Sequence, residues 1–290
     1  MTRYEVRDTD DALEALRLVD RDRDALVTVA PARGGMVTRY SIAGEPVLFL
    51  DEATLRDPAK NVRGGVPLLM PIAGRLTDDR YALGGHGYAM KQHGFARNLP
   101  WSVASRSDTD GASVTLRLTD TPETRAQFPF GFVFEAEYTL REGALSITLR
   151  ATCAEGGTMP MHVGTHPYFF VPRDAKARAA IDATATRAWD NAAKREVAFE
   201  GFPSLGEGEV DLHLLDPRAT RTTLHRPGLR DVEITWSDAL PVLVVWTLPD
   251  KDFVCVEPWS APANALNDGG ARWVAEGETA AWSLSISAPR

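Results

Sequence analysis

Along much of this chain apolar and polar residues alternate one for one, the period of a strand with one face in a core and the other in solvent. Phe132, Phe134, Ala136, Tyr138 and Leu140 take every second position, Arg141-Glu142-Gly143 turns the chain, and Leu145, Ile147, Leu149 and Ala151 carry the alternation back. That pattern predicts a long β-hairpin with one buried face. Residues 113–118, 232–236, 242–246, 253–256 and 281–286 read as further strands, rich in Val, Ile, Trp and Thr. Helical candidates are few. Residues 10–18 read as a short helix or a charged strand edge, and residues 174–180 as one or two helical turns. The 19 prolines and 23 glycines are spread along the chain instead of pooled in a linker, which fits many turns and marks no domain boundary. The expectation is a mainly β protein, a single large β-sandwich with residues 1–290 as one domain.

Composition narrows the functions open to such a fold. The 290 residues are 44% hydrophobic and 25% charged, ordinary for a soluble globular protein. A net charge of −8 argues against a nucleic-acid partner, because no basic stripe offsets phosphate repulsion. The first ten residues contain no apolar stretch of a secretory signal, and no apolar run reaches the ~20 residues of a membrane span. Cys153 and Cys255 both lie in apolar alternating runs and read as buried free thiols, suited to a reducing cytoplasm. A cytoplasmic protein without a membrane partner is expected.

Three separated segments each set one proton-handling side chain beside Gly, Pro or aromatic residues. They are Lys91-Gln92-His93-Gly94-Phe95-Ala96-Arg97, Gly164-Thr165-His166-Pro167-Tyr168-Phe169 and Val254-Cys255-Val256-Glu257-Pro258-Trp259. Two imidazoles and a carboxylate suit proton transfer on a neutral polyol. Each also has a plainer reading: a histidine bonded to backbone, or a strand-end acid capping N–H groups. Burial at the end of an apolar strand would raise the Glu257 pKa toward the range of a general base. Trp259 could stack on the C–H face of a sugar or simply fill the core. Arg63 and Arg75 flank the stretch from Gly64 to Gly74, where they either hold a hydroxyl- or phosphate-rich ligand or sit solvated on a turn.

His162 and His166 have the spacing of a helical metal pair, but Pro160, Gly164 and Pro167 disfavour a helix. In an extended strand their Cα atoms would stand about 13 Å apart, too far for one zinc. No metal is expected. The chain has no G-x-S-x-G elbow, P-loop or dinucleotide fingerprint, which leaves acid–base chemistry without a cofactor.

These segments, with Pro31-Ala32-Arg33-Gly34-Gly35, the stretch 63–76, the stretch 159–169 and the stretch 255–267, resemble the aldose 1-epimerase (mutarotase) family. The resemblance covers most of the chain and is specific only in combination. It implies a mutarotase-type β-sandwich that binds a sugar on a concave sheet face and interconverts its α and β anomers. By that likeness Glu257 takes the proton of the anomeric hydroxyl and His166 donates to the ring oxygen, while His93 and Arg75 orient hydroxyls. Asp211 is the best match to a substrate-binding aspartate. Arg63 and Arg97 also resemble the hexose-6-phosphate branch, in which arginines grip a phosphate. The wording of residues 257–267 favours a free aldose, which ranks first, with a sugar phosphate second and a non-catalytic sugar-binding protein third. A glycoside hydrolase would need a second carboxylate, for which only Asp211 stands as a candidate.

Overall fold

A computed structural model describes residues 2–9 and 13–289. The alternating segments pair as the pattern predicts. Gly131–Arg141 and Ala144–Glu155 form the long hairpin, with Tyr138 opposite Ile147 and Phe134 opposite Ala151. Ala112–Thr119 and Thr279–Ser287 flank it in an eight-stranded sheet that ends at Ser102–Ser107 on one side and Ala180–Ile181 on the other. A second eight-stranded sheet runs from Arg195–Ala198 through Arg187–Asp190, Val210–Leu214, Val242–Thr247 and Phe253–Trp259 to Gly164–Thr165 and Leu68–Leu69, with Tyr168–Phe170 also paired to Phe253–Trp259. One contiguous core draws on both sheets, with Phe132, Phe134 and Leu284 from the first and Leu243, Val245, Val254 and Val256 from the second. The fold is the mainly β sandwich expected, because sheets with one apolar face each bury those faces together.

A third, five-stranded sheet spans Tyr4–Asp8, Leu16–Asp20, Ala25–Ala30, Met36–Ile42 and Glu45–Pro46. The helical alternative for residues 10–18 falls partly on residues 10–12, outside the described ones; from Leu16 the chain is a strand. It is an inner strand rather than an edge, with Leu16 and Leu18 buried on either side of Arg17. In residues 174–180 the helical part is the 3-10 turn Lys176–Arg178, and Ala180 already begins a strand. The small sheet is tied to the hairpin by Gly143 N–H, which donates to Asp20 Oδ2 at 2.9 Å, and by Tyr138 Oη, which donates to Gly35 O at 2.5 Å. Both cysteines are free and buried, as expected. No helix among the described residues is long and apolar enough to cross a membrane.

The strand Phe253–Trp259 is buried along its whole length. Val254 and Val256 face the sandwich core, while Phe253, Cys255 and Trp259 belong to separate apolar clusters on the other face. Arg63, Gly74, His93, Arg97 and His166, from stretches flanking that face, line a pocket together with Glu257. The carboxylate at position 257 is thereby buried in the wall of a pocket instead of standing in solvent.

Candidate active site

Strand register builds the site. Across the outer face of the second sheet His213 stands opposite Val244, and Val244 opposite Glu257. In the next row Asp211 faces Trp246, Trp246 faces Cys255, and Cys255 faces Tyr168. His166 lies between the short strands Gly164–Thr165 and Tyr168–Phe170, its backbone N–H donating to Pro67 O at 3.0 Å. Its ring stacks on Tyr168, 4.6 Å between centroids with planes 9° apart, and meets Trp246 edge-on. Those contacts hold His166 Nε2 at 3.3 Å from Glu257 Oε1.

Glu257 is oriented from its other oxygen. Trp259 Nε1 donates to Oε2 at 3.1 Å, so Oε1 is the atom left facing His166. Trp259 itself is only 3% exposed, with His93, His162 and His213 packed against it edge-on. The half-buried indole is Trp246, with the Arg63 guanidinium 5.9 Å from its ring.

His93 occupies the left-handed region at φ 68° and is clamped to Gly74 twice. Its backbone N–H donates to Gly74 O at 2.8 Å, and its Nδ1 accepts from Gly74 N–H at 3.0 Å. An accepting Nδ1 carries a lone pair, so the neutral ring bears its proton on Nε2. The loop is nailed down by Phe95, whose ring stacks on Phe132 at 5.7 Å and on Phe134 at 6.4 Å within the core. Gly94 is also left-handed, and a Cβ there would lie 2.3 Å from Met70 O. Gly94→Ala is therefore expected to destabilise the protein by about 2–4 kcal/mol, from backbone strain plus overpacking. A Gly94→Ala melting transition unchanged in denaturant would contradict this placement of the loop.

Electrostatics leave the central pair neutral. Burial, and then the Asp211 carboxylate, push the Glu257 carboxyl well above the usual range, against the pull of the Trp259 N–H. Burial, and then the Arg97 guanidinium, push His166 down to about 3. The 3.3 Å contact is thus one proton shared between two uncharged groups rather than an ion pair, since the interior disfavours separated charge. Burial pushes His93 down as well. Asp211 behaves oppositely. Burial alone would raise it, but hydrogen bonds from His213 Nε2 at 3.1 Å and Asn191 Nδ2 at 2.6 Å hold it below the ordinary carboxylate value.

All eight residues singled out in the sequence, Arg63, Arg75, His93, Arg97, His166, Asp211, Glu257 and Trp259, line one pocket of about 480 Å³. Sequence reasoning missed His213, Asn191, Lys194, Trp246 and Tyr168 in its wall. The alternation of Val210, Leu212 and Leu214 with Asp211 and His213 could have found His213. His162 stands apart: it is buried, and its Nε2 is engaged with Ala261 O at 2.8 Å. Among the described residues the one set able to hold a metal is His166, Cys255 and Glu257, without His162.

Known proteins carry the same fold and sequence pattern. The crystal structure of the Slr1438 protein from Synechocystis sp. PCC 6803 superposes with a TM-score of 0.92 at 34% identity, covering 99% of this chain and 100% of that one. A Cenchrus ciliaris protein provisionally named glucose-6-phosphate 1-epimerase is 30% identical over 250 residues, 82% of this chain and 68% of its own length. An Escherichia coli K12 protein under the same provisional name is 28% identical over 265 residues, 84% of this chain and 83% of its own. A family model described as Aldose 1-epimerase matches residues 18–287. The chain belongs to the aldose 1-epimerase family and is an isomerase of the epimerase class.

Proposed function

We propose that this protein interconverts the α and β anomers of a hexose 6-phosphate by opening and reclosing the sugar ring, with Glu257 and His166 moving the protons. The observation that carries the chemistry is the His166 Nε2–Glu257 Oε1 pair at 3.3 Å in the pocket. With the shared proton on His166 the pair presents Glu257 as a base and His166 as an acid, which is what a hemiacetal needs at its anomeric hydroxyl and ring oxygen. In the cycle Glu257 takes the anomeric proton while His166 protonates the ring oxygen, which leaves protonated Glu257 and neutral imidazole. That is also the state burial favours in the free site, so the shared proton passes from Glu257 to His166 before the ring opens, and opening returns the pair to its neutral form. After rotation about C1–C2, reclosure returns both protons.

Charge supports a phosphorylated sugar. Arg63, Arg75, Arg97 and Lys194 line the pocket against only Asp211 and Glu257, and the latter is held neutral. Among the described residues neither Arg63 nor Arg97 has a carboxylate partner, in a chain with net charge −8. Guanidiniums without a carboxylate partner suit a dianion through charged, forked hydrogen bonds. A phosphate beside Arg97 would also offset the field that depresses His166, easing its protonation where the acid is needed. The sequence ranking of a free aldose first leaned on residues 257–267. In that stretch Asn264 accepts from Thr77 N–H at 2.9 Å and donates to Asp268 at 2.9 Å, contacts that close loops and say nothing of the sugar. The provisional names of the two curated relatives point the same way. Exchange NMR on anomers of glucose and glucose 6-phosphate tests the assignment: the phosphate should equilibrate faster, and equal rates would return the reading to a free aldose.

Trp259 is proposed as a positioning residue. Trp259→Phe keeps the packing and removes the N–H that steadies ionised Glu257, a bond worth about 1.5–3 kcal/mol to a charged acceptor. The pH–rate limb that reports Glu257 should move to higher pH and kcat should fall about tenfold or more. A rate loss with an unmoved pH profile would mean only that the pocket had loosened.

A further inference from the structure

Beside the proton-transferring pair lies a side chain to which ring opening assigns nothing. Cys255 precedes Glu257 by two residues on one strand, so both side chains project from the same face. It is a free thiol, fully buried, opposite Trp246 and Tyr168 in the register. One ligand atom from each of His166, Cys255 and Glu257 lies within 4.8 Å of the other two. Imidazole nitrogen, thiolate sulfur and carboxylate oxygen are the zinc ligands of proteins, with bonds of about 2.0–2.3 Å that set tetrahedral edges of about 3.3–3.6 Å. The His166 Nε2–Glu257 Oε1 edge, at 3.3 Å, already has that length.

We propose that His166, Cys255 and Glu257 form an inhibitory site for a thiophilic divalent cation such as Zn²⁺, with the fourth position left to water. The exchange balances. N–Zn, S–Zn and O–Zn bonds form, Cys255 and Glu257 each release one proton to solvent, and nothing is oxidised or reduced. Two positive charges leave as one dication enters, so the net charge of the buried site is unchanged. Arg63, Arg97 and Lys176, the cations that act on these groups, therefore face no more charge than before, and the Asp211 carboxylate favours the metal. Hard cations such as Mg²⁺ are excluded by the same ligands, because sulfur and nitrogen select softer ions. With both proton carriers ligated, no acid or base remains for the sugar. The metal is thus an inhibitor and not a cofactor, and basal turnover should survive EDTA.

Titrating the intact protein with Co²⁺ tests this directly. A thiolate-to-cobalt charge-transfer band in the near ultraviolet is expected, lost on adding Zn²⁺, and Zn²⁺ should block anomer exchange reversibly with EDTA. Cys255→Ser should turn over like the wild type without metal and lose zinc affinity by at least about 100-fold, beyond the 10–100-fold of losing an outer-shell partner. Cys255→Ala serves as the second variant should the serine perturb folding. Absence of the thiolate band, or a Cys255→Ser enzyme as zinc-sensitive as the wild type, overturns the site. The inhibition rests on the proposed roles of His166 and Glu257, whereas the band rests on ligand geometry alone. A band without inhibition would therefore uphold the metal site and count against the catalytic reading.

Discussion

Glu257→Gln and His166→Ala are each expected to lower kcat by at least about 10²-fold while leaving the fold intact, the range for losing a positioned acid or base. Glutamine is nearly isosteric with the protonated carboxyl that burial favours at position 257, so it adds no buried charge and can still accept from Trp259 Nε1. Its amide cannot take a proton from an anomeric hydroxyl. His166→Ala removes a ring stacked on Tyr168 in the pocket wall, so its melting transition must be measured beside its rate. Because the two groups pass one proton between them, the double variant should be little slower than either single one, as residues that act as a unit are not additive. Anomer exchange by either single variant at near wild-type rate, measured above the spontaneous background, would remove Glu257 and His166 from the mechanism.

Arg63→Ala is expected to lower kcat/KM for glucose 6-phosphate by about 10- to 100-fold, the equivalent of one charged hydrogen bond of roughly 1.5–3 kcal/mol. Glucose turnover should change far less, because Arg63 packs over Trp246 and its field on His166 ranks behind burial and Arg97. Arg97→Ala should behave differently. Arg97 is the charge that, after burial, depresses His166, so its loss should let His166 rise from about 3 and shift the acid limb of the profile upward for both sugars. Equal losses on the free and phosphorylated sugar in Arg63→Ala would argue that the arginine orders its loop and binds no phosphate. Losses that deepen as salt is raised would not fit a phosphate contact, since screening weakens such contacts as salt is raised.

What could be read from the chain alone is local. The hairpin of Gly131–Arg141 and Ala144–Glu155 was legible because period-two alternation needs only neighbouring residues to express which face is buried. The five-stranded sheet of the first 46 residues was not, because strands such as Leu16–Asp20 and Met36–Ile42 interleave Arg17 and Arg39 with short apolar runs. Their partners are the neighbouring strands of the chain, so the alternation was obscured by these interruptions and not by distance along the sequence. The eight site residues were singled out by motif and resemblance, and no spacing rule joins positions 63 and 259. Tertiary structure alone decided three things about them. Register set His213, Val244 and Glu257 in one row, which a strand's own sequence cannot specify. The Trp259 indole, open in sequence to a sugar-stacking role, turned its N–H to Glu257 because neighbouring rings leave the residue 3% exposed. Burial in the pocket wall, with the Asp211 carboxylate acting on Glu257 and the Arg97 guanidinium on His166, moved Glu257 up and His166 down, since a carboxylate at the end of an apolar strand acquires its proton affinity from what folds around it.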